Sequence, residues 1–234
     1  MCQNANGMTP NPPLNSKALS QRGALVFNML NMNAQDIMNL EQALTRQRSA
    51  AYKTEYNRLL KQAGVRLQRV LVLDRATLDN LAARSQSEAE TIAQTYDRDL
   101  ARQIEAIELE NPKISRDDLV KRLQSWHTAR ANWKGPQISL WANRDAVQQA
   151  QTDFFKVNGQ AIKAKAKVFP RSYVCDDCGR LVGMGEVDIQ VALANPCPRH
   201  PNCVHQWVTS GMERVGPLPQ GQFWSGLLQR VGLR

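Results

Sequence analysis

Apolar residues recur at three- and four-residue spacing through much of the first two thirds of the chain, which predicts helices. One such region covers residues 17–72. The clearest run covers residues 74–110, and no Gly or Pro interrupts it until Asn111-Pro112. At 1.5 Å per residue this helix would be on the order of 50 Å long. Its apolar stripe is narrow, so we expect it to lie against one or two partner helices. The stripe consists of Leu78, Leu81, Ser85, Ala89, Ile92, Tyr96, Leu100, Ile104 and Ile107.

Two further helices are predicted after this run. Ser115, followed three residues later by Asp118, resembles a capping box that begins a helix. This helix should stop at Lys134-Gly135-Pro136, because proline disrupts a helix interior. The next helix should span about residues 138–157 and end at Asn158-Gly159, with the glycine in a left-handed cap.

The pattern changes from helical to alternating after Gly159. The segment AIKAKAKVF predicts a strand, with Ala164, Ala166 and Val168 on one side and lysines on the other. Glycines on either side of Met184 predict a hairpin turn. An apolar group near the C-terminus would be costly to expose, so we expect it to dock on this protein or on a neighbour. This group comprises Phe223, Trp224, Leu227 and Leu228.

These elements predict a mainly α fold, in which long N-terminal helices are followed by a small α+β domain containing a zinc knuckle, a tight turn that presents two ligands. We expect an extended arm over residues 1–16, rich in Asn and Pro. A helical interaction region should follow over residues 17–135 and the zinc domain over 136–210. Residues 211–234 should form a docking tail.

The chain is basic, with a net charge of +9 over 234 residues. A basic protein suits a partner rich in phosphate or carboxylate, although many basic proteins only have solvated basic faces. Two groups of basic residues are candidates for such contacts. The first is an expected exposed helical face with Arg46, Arg48, Lys53, Arg58, Lys61, Arg66 and Arg69. The second, our candidate nucleic-acid-binding set, is Lys163, Lys165, Lys167 and Arg171.

Four of the five cysteines and two of the three histidines lie between Cys175 and His205. Cys175 and Cys178 form a C-x-x-C pair, and His200 and Cys203 form an H-x-x-C pair about twenty residues later. Two pairs of this spacing can aim four ligands at one tetrahedral Zn²⁺. We therefore predict a structural zinc site.

The identity of the last two ligands is open on spacing alone. Cys197 and His205 are alternates, and only two of the four downstream candidates are needed. The H-x-x-C spacing mirrors the first pair and favours His200 and Cys203. The chain start, MCQNANGMTPNPPLN, lacks the apolar segment of a secretory signal. We therefore expect synthesis in a reducing cytoplasm, which favours thiolate ligands over disulfides. Cys2 lies far from the cluster and is expected to be a thiol outside the site.

The region from residue 138 to 207 resembles the Mu F-like head morphogenesis family of tailed bacteriophages. A helix and a basic strand precede a C-x-x-C motif, a short Leu-and-Gly stretch and a P-x-H-P-x-C motif. The matching residues are Cys175, Cys178, Leu181, Gly183, Pro198, His200, Pro201 and Cys203. The chain departs from the family at His205, which stands where the last cysteine of a C-R-C motif is usual.

This resemblance implies a minor head or capsid protein of the virion that associates with the portal, the major capsid protein or neck proteins. It would be made in the host cytoplasm, would be oligomeric within the particle and would have no membrane contact. The alternative is a zinc-containing protein that contacts packaged DNA without sequence preference. An enzyme is disfavoured, because a metal-dependent nuclease needs a catalytic His besides the zinc ligands. His127 lies in no recognisable catalytic motif.

Overall fold

The computed structural model describes residues 19–65, 71–169, 176–197 and 205–218. The fold is mainly helical with a small three-stranded antiparallel sheet near the C-terminus, and this confirms the predicted fold class. The predicted arm and the apolar group at Phe223 lie outside the described residues. The elements are α1 (Gln21–Leu30), α2 (Ala34–Gln62), α3 (Arg75–Glu110), α4 (Arg116–Asn158), β1 (Ile162–Phe169), α5 (Asp176–Gly183), β2 (Glu186–Asp188), α6 (Ile189–Ala194) and β3 (Gln206–Arg214).

Side-chain caps begin the two longest helices where the sequence predicts. The Asp74 carboxylate accepts a hydrogen bond from the backbone N–H of Thr77 at 2.7 Å, one turn into α3. The Ser115 hydroxyl accepts from the backbone N–H of Asp118 at 3.1 Å and donates to the Asp118 carboxylate at 2.7 Å. Each cap satisfies a backbone donor that has no partner within the first helical turn.

Helix α4 does not stop at Pro136, so the predicted break is wrong. Pro136 lies inside a single helix of 43 residues. Proline removes one helical hydrogen bond and costs about 3 kcal/mol. Both halves of the helix bury large side chains, for example Leu123 before the proline and Phe154 after it, both 0% exposed. Each fully buried apolar side chain contributes about 1.5–3 kcal/mol, so packing outweighs the local penalty.

Helix α4 ends at the predicted Asn158, but Gly159 is not in the left-handed conformation that we expected. Among the described glycines only Gly64 and Gly185 have positive φ. The N–H of Gly159 donates to the Phe155 carbonyl at 2.8 Å. A Cβ at Gly159 would lie 2.5 Å from that same carbonyl oxygen. Glycine is therefore required by a close backbone approach.

Gly183 and Gly185 do not form the predicted hairpin turn. Gly183 ends α5, Gly185 has φ 69°, and β2 begins at Glu186. A glycine in the left-handed region just after a helix is a common way to end it. The glycines therefore connect a helix to a strand, and not two strands.

The described residues form two compact units, and each of the long helices contributes to both. The first unit contains the described residues within Arg46–Leu81 and Ser139–Arg234. The second unit contains the described residues within Asn4–Thr45 and Ala82–Ile138. The grouping is discontinuous along the sequence. Strand β3 extends to Arg214, past residue 210 where we placed the start of the tail.

The core of the second unit covers the C-terminal part of the α3 stripe. Leu100, Ile104 and Ile107 are buried against Val26 of α1 and Leu119 of α4. Helix α1 approaches closely, since a Cβ at Gly23 would lie 2.8 Å from the Ile104 side chain. The partner helices are therefore supplied by this chain.

The first unit contains the sheet, in the order β2-β1-β3 with both neighbours antiparallel to β1. The predicted alternation of β1 is confirmed. Ile162, Ala164, Ala166 and Val168 are buried, while the intervening residues are exposed. The buried face joins a core that includes Tyr56, Leu59, Phe154, Phe155 and Trp207.

Two tyrosines of α2 lie in this core with their hydroxyl groups buried. The Tyr52 hydroxyl donates to the Asp153 carboxylate at 2.8 Å, and the Tyr52 and Tyr56 rings stack with centroids 5.9 Å apart. Burial, followed by the charge of Asp153, raises the pKa of Tyr56 to about 12. The same two causes raise the pKa of Tyr52 further.

We expect these tyrosines to make the first unit sensitive to alkali. In the unfolded chain tyrosine ionises near pH 10, so the unfolded state gains stability above that pH while the folded state keeps its protons. The free energy of unfolding should be unaffected below pH 10. It should then fall by about 1.4 kcal/mol per pH unit for each tyrosine up to about pH 12. Urea unfolding at pH 8, 10 and 11 measures this slope. The double variant Tyr52→Phe/Tyr56→Phe should show a clearly shallower slope, and an equal slope would contradict the assignment.

Candidate metal centre and basic sheet face

The predicted zinc ligands are only partly within the described residues. Cys178 lies in α5 and is 0% exposed. Cys175, His200 and Cys203 lie outside the described residues. The alternates Cys197 and His205 are described, and they are 0% and 1% exposed. Each candidate ligand that the structure places is therefore buried.

Both described thiols lie in one apolar environment. Cys178 and Cys197 belong to the core of the first unit, together with Leu181, Ile189 and Ala192. A structural zinc site is closed by protein ligands, whereas a catalytic site keeps a position open to substrate. Full burial of the described candidates suits the structural kind.

The described candidates do not by themselves complete a site. Within residues 19–65, 71–169, 176–197 and 205–218, no group of three or more His, Cys, Asp or Glu side chains could hold a metal ion. The donor chemistry fits zinc, but a four-ligand site would need ligands among Cys175, His200 and Cys203, which lie outside the described residues.

A hydrogen-bonded cluster that the sequence did not indicate fixes the start of β3. The side-chain amide of Gln151 in α4 donates to the Trp207 carbonyl at 3.1 Å, and the Arg58 guanidinium of α2 donates to the Thr209 hydroxyl at 2.7 Å. The Trp207 indole donates to the Asn195 carbonyl at 2.7 Å.

A carboxylate joins the two helices of this cluster. Glu55 accepts from Arg58 at 2.6 Å and from Gln151 at 2.8 Å. The sequence indicates this cluster only weakly, through polar residues on the helix faces that are directed toward the core.

The lysines on the exposed face of β1 lie next to acidic residues of the neighbouring strands. Lys163, Lys165 and Lys167 are exposed as predicted, and Arg171 lies outside the described residues. Each lysine has one acidic cross-strand partner, while Lys165 and Lys167 also lie opposite Gly211 and Val208 of β3. Lys163 lies opposite Glu213, Lys165 opposite Asp188, and Lys167 opposite Glu186.

Glu186 is paired with this lysine row. Its carboxylate lies 3.7 Å from the Lys165 ammonium. A hydrogen bond from Ser210, together with the charges of Lys165 and Lys167, lowers the pKa of Glu186. Opposite charges across neighbouring strands attract each other, so this face is not a uniformly positive surface.

The expected basic face of α2 is also smaller than predicted. Arg48 is 1% exposed, lies 3.4 Å from the Asp145 carboxylate and is stacked over the Trp141 ring. Arg58 belongs to the cluster around Glu55. Arg46 and Lys61 remain exposed, Lys53 is half-buried, and Arg66 and Arg69 lie outside the described residues.

Most of the net positive charge lies outside the described residues. Seven of the 30 Lys and Arg residues fall there, and none of the 21 Asp and Glu residues does. The described part of the chain thus holds 23 basic against 21 acidic residues. The described residues together therefore carry a net charge close to zero, unlike the strongly basic domains typical of DNA-binding proteins.

His127 lies on the exposed surface of α4. Its Nδ1 lies 3.1 Å from the Tyr96 hydroxyl, and the two rings meet edge to face.

Comparison of the chain with protein-family models, with curated proteins and with solved structures found no match. Among the described helices, none is both long enough and apolar enough to cross a membrane.

Proposed function

We propose that the chain is a structural protein of a bacteriophage virion, of the minor head or capsid type, that aids head morphogenesis and has a structural zinc site. The observation that carries the proposal is the ordered set of motifs from the Lys-rich strand to His205. The strand β1, the buried Cys178 and the buried His205 follow one another in a small α+β arrangement. This arrangement accommodates the Mu F-like resemblance of residues 138–207.

The burial of the candidate ligands favours a structural metal over a catalytic one. Zinc held by Cys and His side chains contributes folding free energy and leaves no position for a substrate. We accordingly propose a non-enzymatic role. Zinc would be held by Cys175, Cys178 and two of the downstream candidates.

Portal, major capsid or neck proteins are the proposed partners. Most of the α3 stripe is buried, so these contacts would use other surfaces of the protein. The alternative, non-specific binding of packaged DNA, is less favoured. The lysines of β1 have acidic partners, and the described surface is close to neutral.

The test is the presence of the chain in purified particles. When the gene is expressed from its own phage, mass spectrometry of gradient-purified virions should detect the chain at low copy number. Labelling with an antibody should then place it at the portal vertex, the capsid wall or the neck.

A matched pair of variants links incorporation to the zinc site. Cys178→Ser should be lost from particles, whereas Cys197→Ala, which removes an equally buried thiol, should be incorporated. Recovery of the wild-type chain only from the soluble fraction of the lysate would refute the virion assignment.

A further inference from the structure

The middle of α4 is a helical segment without buried side chains. Leu123 and Ala142 are both 0% exposed, but none of the residues 124–141, all of which the structure describes, is buried. This segment covers about five helical turns. In α3, by contrast, consecutive buried residues between Leu81 and Ile107 are never more than seven positions apart. The middle of α4 therefore lacks the tertiary packing that stabilises most helices in proteins.

Side-chain interactions do not compensate for this lack of packing. The Arg130 guanidinium lies 2.6 Å from the Asp99 carboxylate of α3, which holds the helix up to that point. Residues 131–138 make no side-chain hydrogen bond or ion pair within the described part of the chain. Their one ring contact joins neighbours in sequence, with the Lys134 ammonium 4.3 Å from the centroid of the exposed Trp133 ring. No side chain of residues 131–138 is therefore tied to another helix by a polar contact.

Two residues of this segment also weaken its backbone. Pro136 has no N–H to donate to the carbonyl of residue 132, and glycine is the least favourable residue after proline in a helix interior. Neither packing nor backbone conformation requires the glycine. A Cβ at Gly135 would meet nothing within 4 Å, and Gly135 does not have a positive φ. The two residues least suited to a helix therefore lie where α4 has no buried side chain.

We infer that residues 131–138 are a joint in α4, at which the helix opens locally while the flanking turns stay folded. Regions open at low free energy when they have few buried apolar contacts and backbone hydrogen bonds exposed to solvent. The flanking turns are anchored, since Leu119 and Leu123 belong to the core of the second unit and Ala146 and Phe154 to that of the first. No residue of the joint belongs to either core, so α4 can open or bend there without loss of core contacts. The inference is independent of the proposed zinc site.

Hydrogen–deuterium exchange of the full chain, read by mass spectrometry, tests the joint. After correction for intrinsic rates, amides of residues 131–138 should exchange at least about 100-fold faster than those of residues 146–157. The double variant Gly135→Ala/Pro136→Ala should slow exchange of residues 131–138 by about 100-fold or more, because alanine is much more favourable than glycine or proline inside a helix. It should fold normally, since the added Cβ at position 135 meets no other atom.

A control variant separates the joint from a general gain in helix preference. Ser125→Ala/Asn132→Ala places alanine at two exposed positions of α4 that hold neither glycine nor proline. Exchange of residues 131–138 should then slow by no more than about 10-fold. A slowing as large as that in Gly135→Ala/Pro136→Ala would contradict a special role of Gly135 and Pro136.

Limited trypsin cleavage gives an independent readout. Lys134 lies in the joint, whereas Arg122 lies in an anchored turn of the same helix and has the more exposed side chain, at 53%. Cleavage requires local unfolding of the helix, so it should be faster after Lys134 than after Arg122. Equal cleavage at the two sites, equal protection along α4, or unchanged exchange in Gly135→Ala/Pro136→Ala would overturn the inference.

Discussion

Cys178→Ser is expected to release the zinc ion and to destabilise the first unit by on the order of 10 kcal/mol, the free energy that a structural zinc contributes in small modules. Cys178 is fully buried in α5. The lost ligand would therefore leave a vacancy that water cannot readily fill. A native domain is typically stable by about 5–15 kcal/mol, so a loss of on the order of 10 kcal/mol is comparable to the whole stability of a domain. We therefore expect the unit to unfold.

Elemental analysis and thermal denaturation check this result. Wild-type protein should contain about one zinc per chain, and Cys178→Ser should contain none and lose its cooperative transition. Cys197→Ala is the matched control, because its thiol is equally buried. It should keep the metal and lose only the stability associated with its packing. One zinc per chain in Cys178→Ser would show that this cysteine is not a ligand.

Asp145→Ala is expected to destabilise the first unit by about 3–5 kcal/mol. The substitution would leave the Arg48 guanidinium, which is 1% exposed, without the carboxylate that lies 3.4 Å away. A buried charge that loses its counter-ion retains its full desolvation cost. Asp145 itself is 20% exposed, and water that enters there would place the effect at the lower end of this range.

Comparison with an exposed pair makes this second prediction specific. Asp79→Ala breaks the Arg75–Asp79 ion pair of α3, which is shorter at 2.9 Å but has side chains that are 80% and 59% exposed. Its cost should be no more than about 0.5 kcal/mol. Urea unfolding of both variants measures the contrast. In addition, Arg48→Met/Asp145→Leu should be more stable than Asp145→Ala, because it removes both charges. Equal small effects at the two sites would mean that Arg48 is stabilised mainly by Trp141.

The sequence predicts the kind of candidate site, but it does not determine which residues belong to it. The C-x-x-C spacing identifies Cys178 because two ligands on one turn are a local feature. Spacing could not rank Cys197 against His205. Burial does not separate them either, since they are 0% and 1% exposed.

The sequence by itself determined the local elements. Capping residues and periodicity are properties of neighbouring residues, so the start of α3 after Asp74 and the alternation of β1 were both predicted. Tertiary structure decided which faces meet. Helix α4 continues through Pro136 because both of its halves bury large side chains, and α1 and α4 cover the C-terminal part of the α3 stripe. The lysines of β1 face acids that are 19 or more residues away in sequence. Burial and charge pairing depend on residues that are distant along the chain, and for this reason local patterns could not predict them.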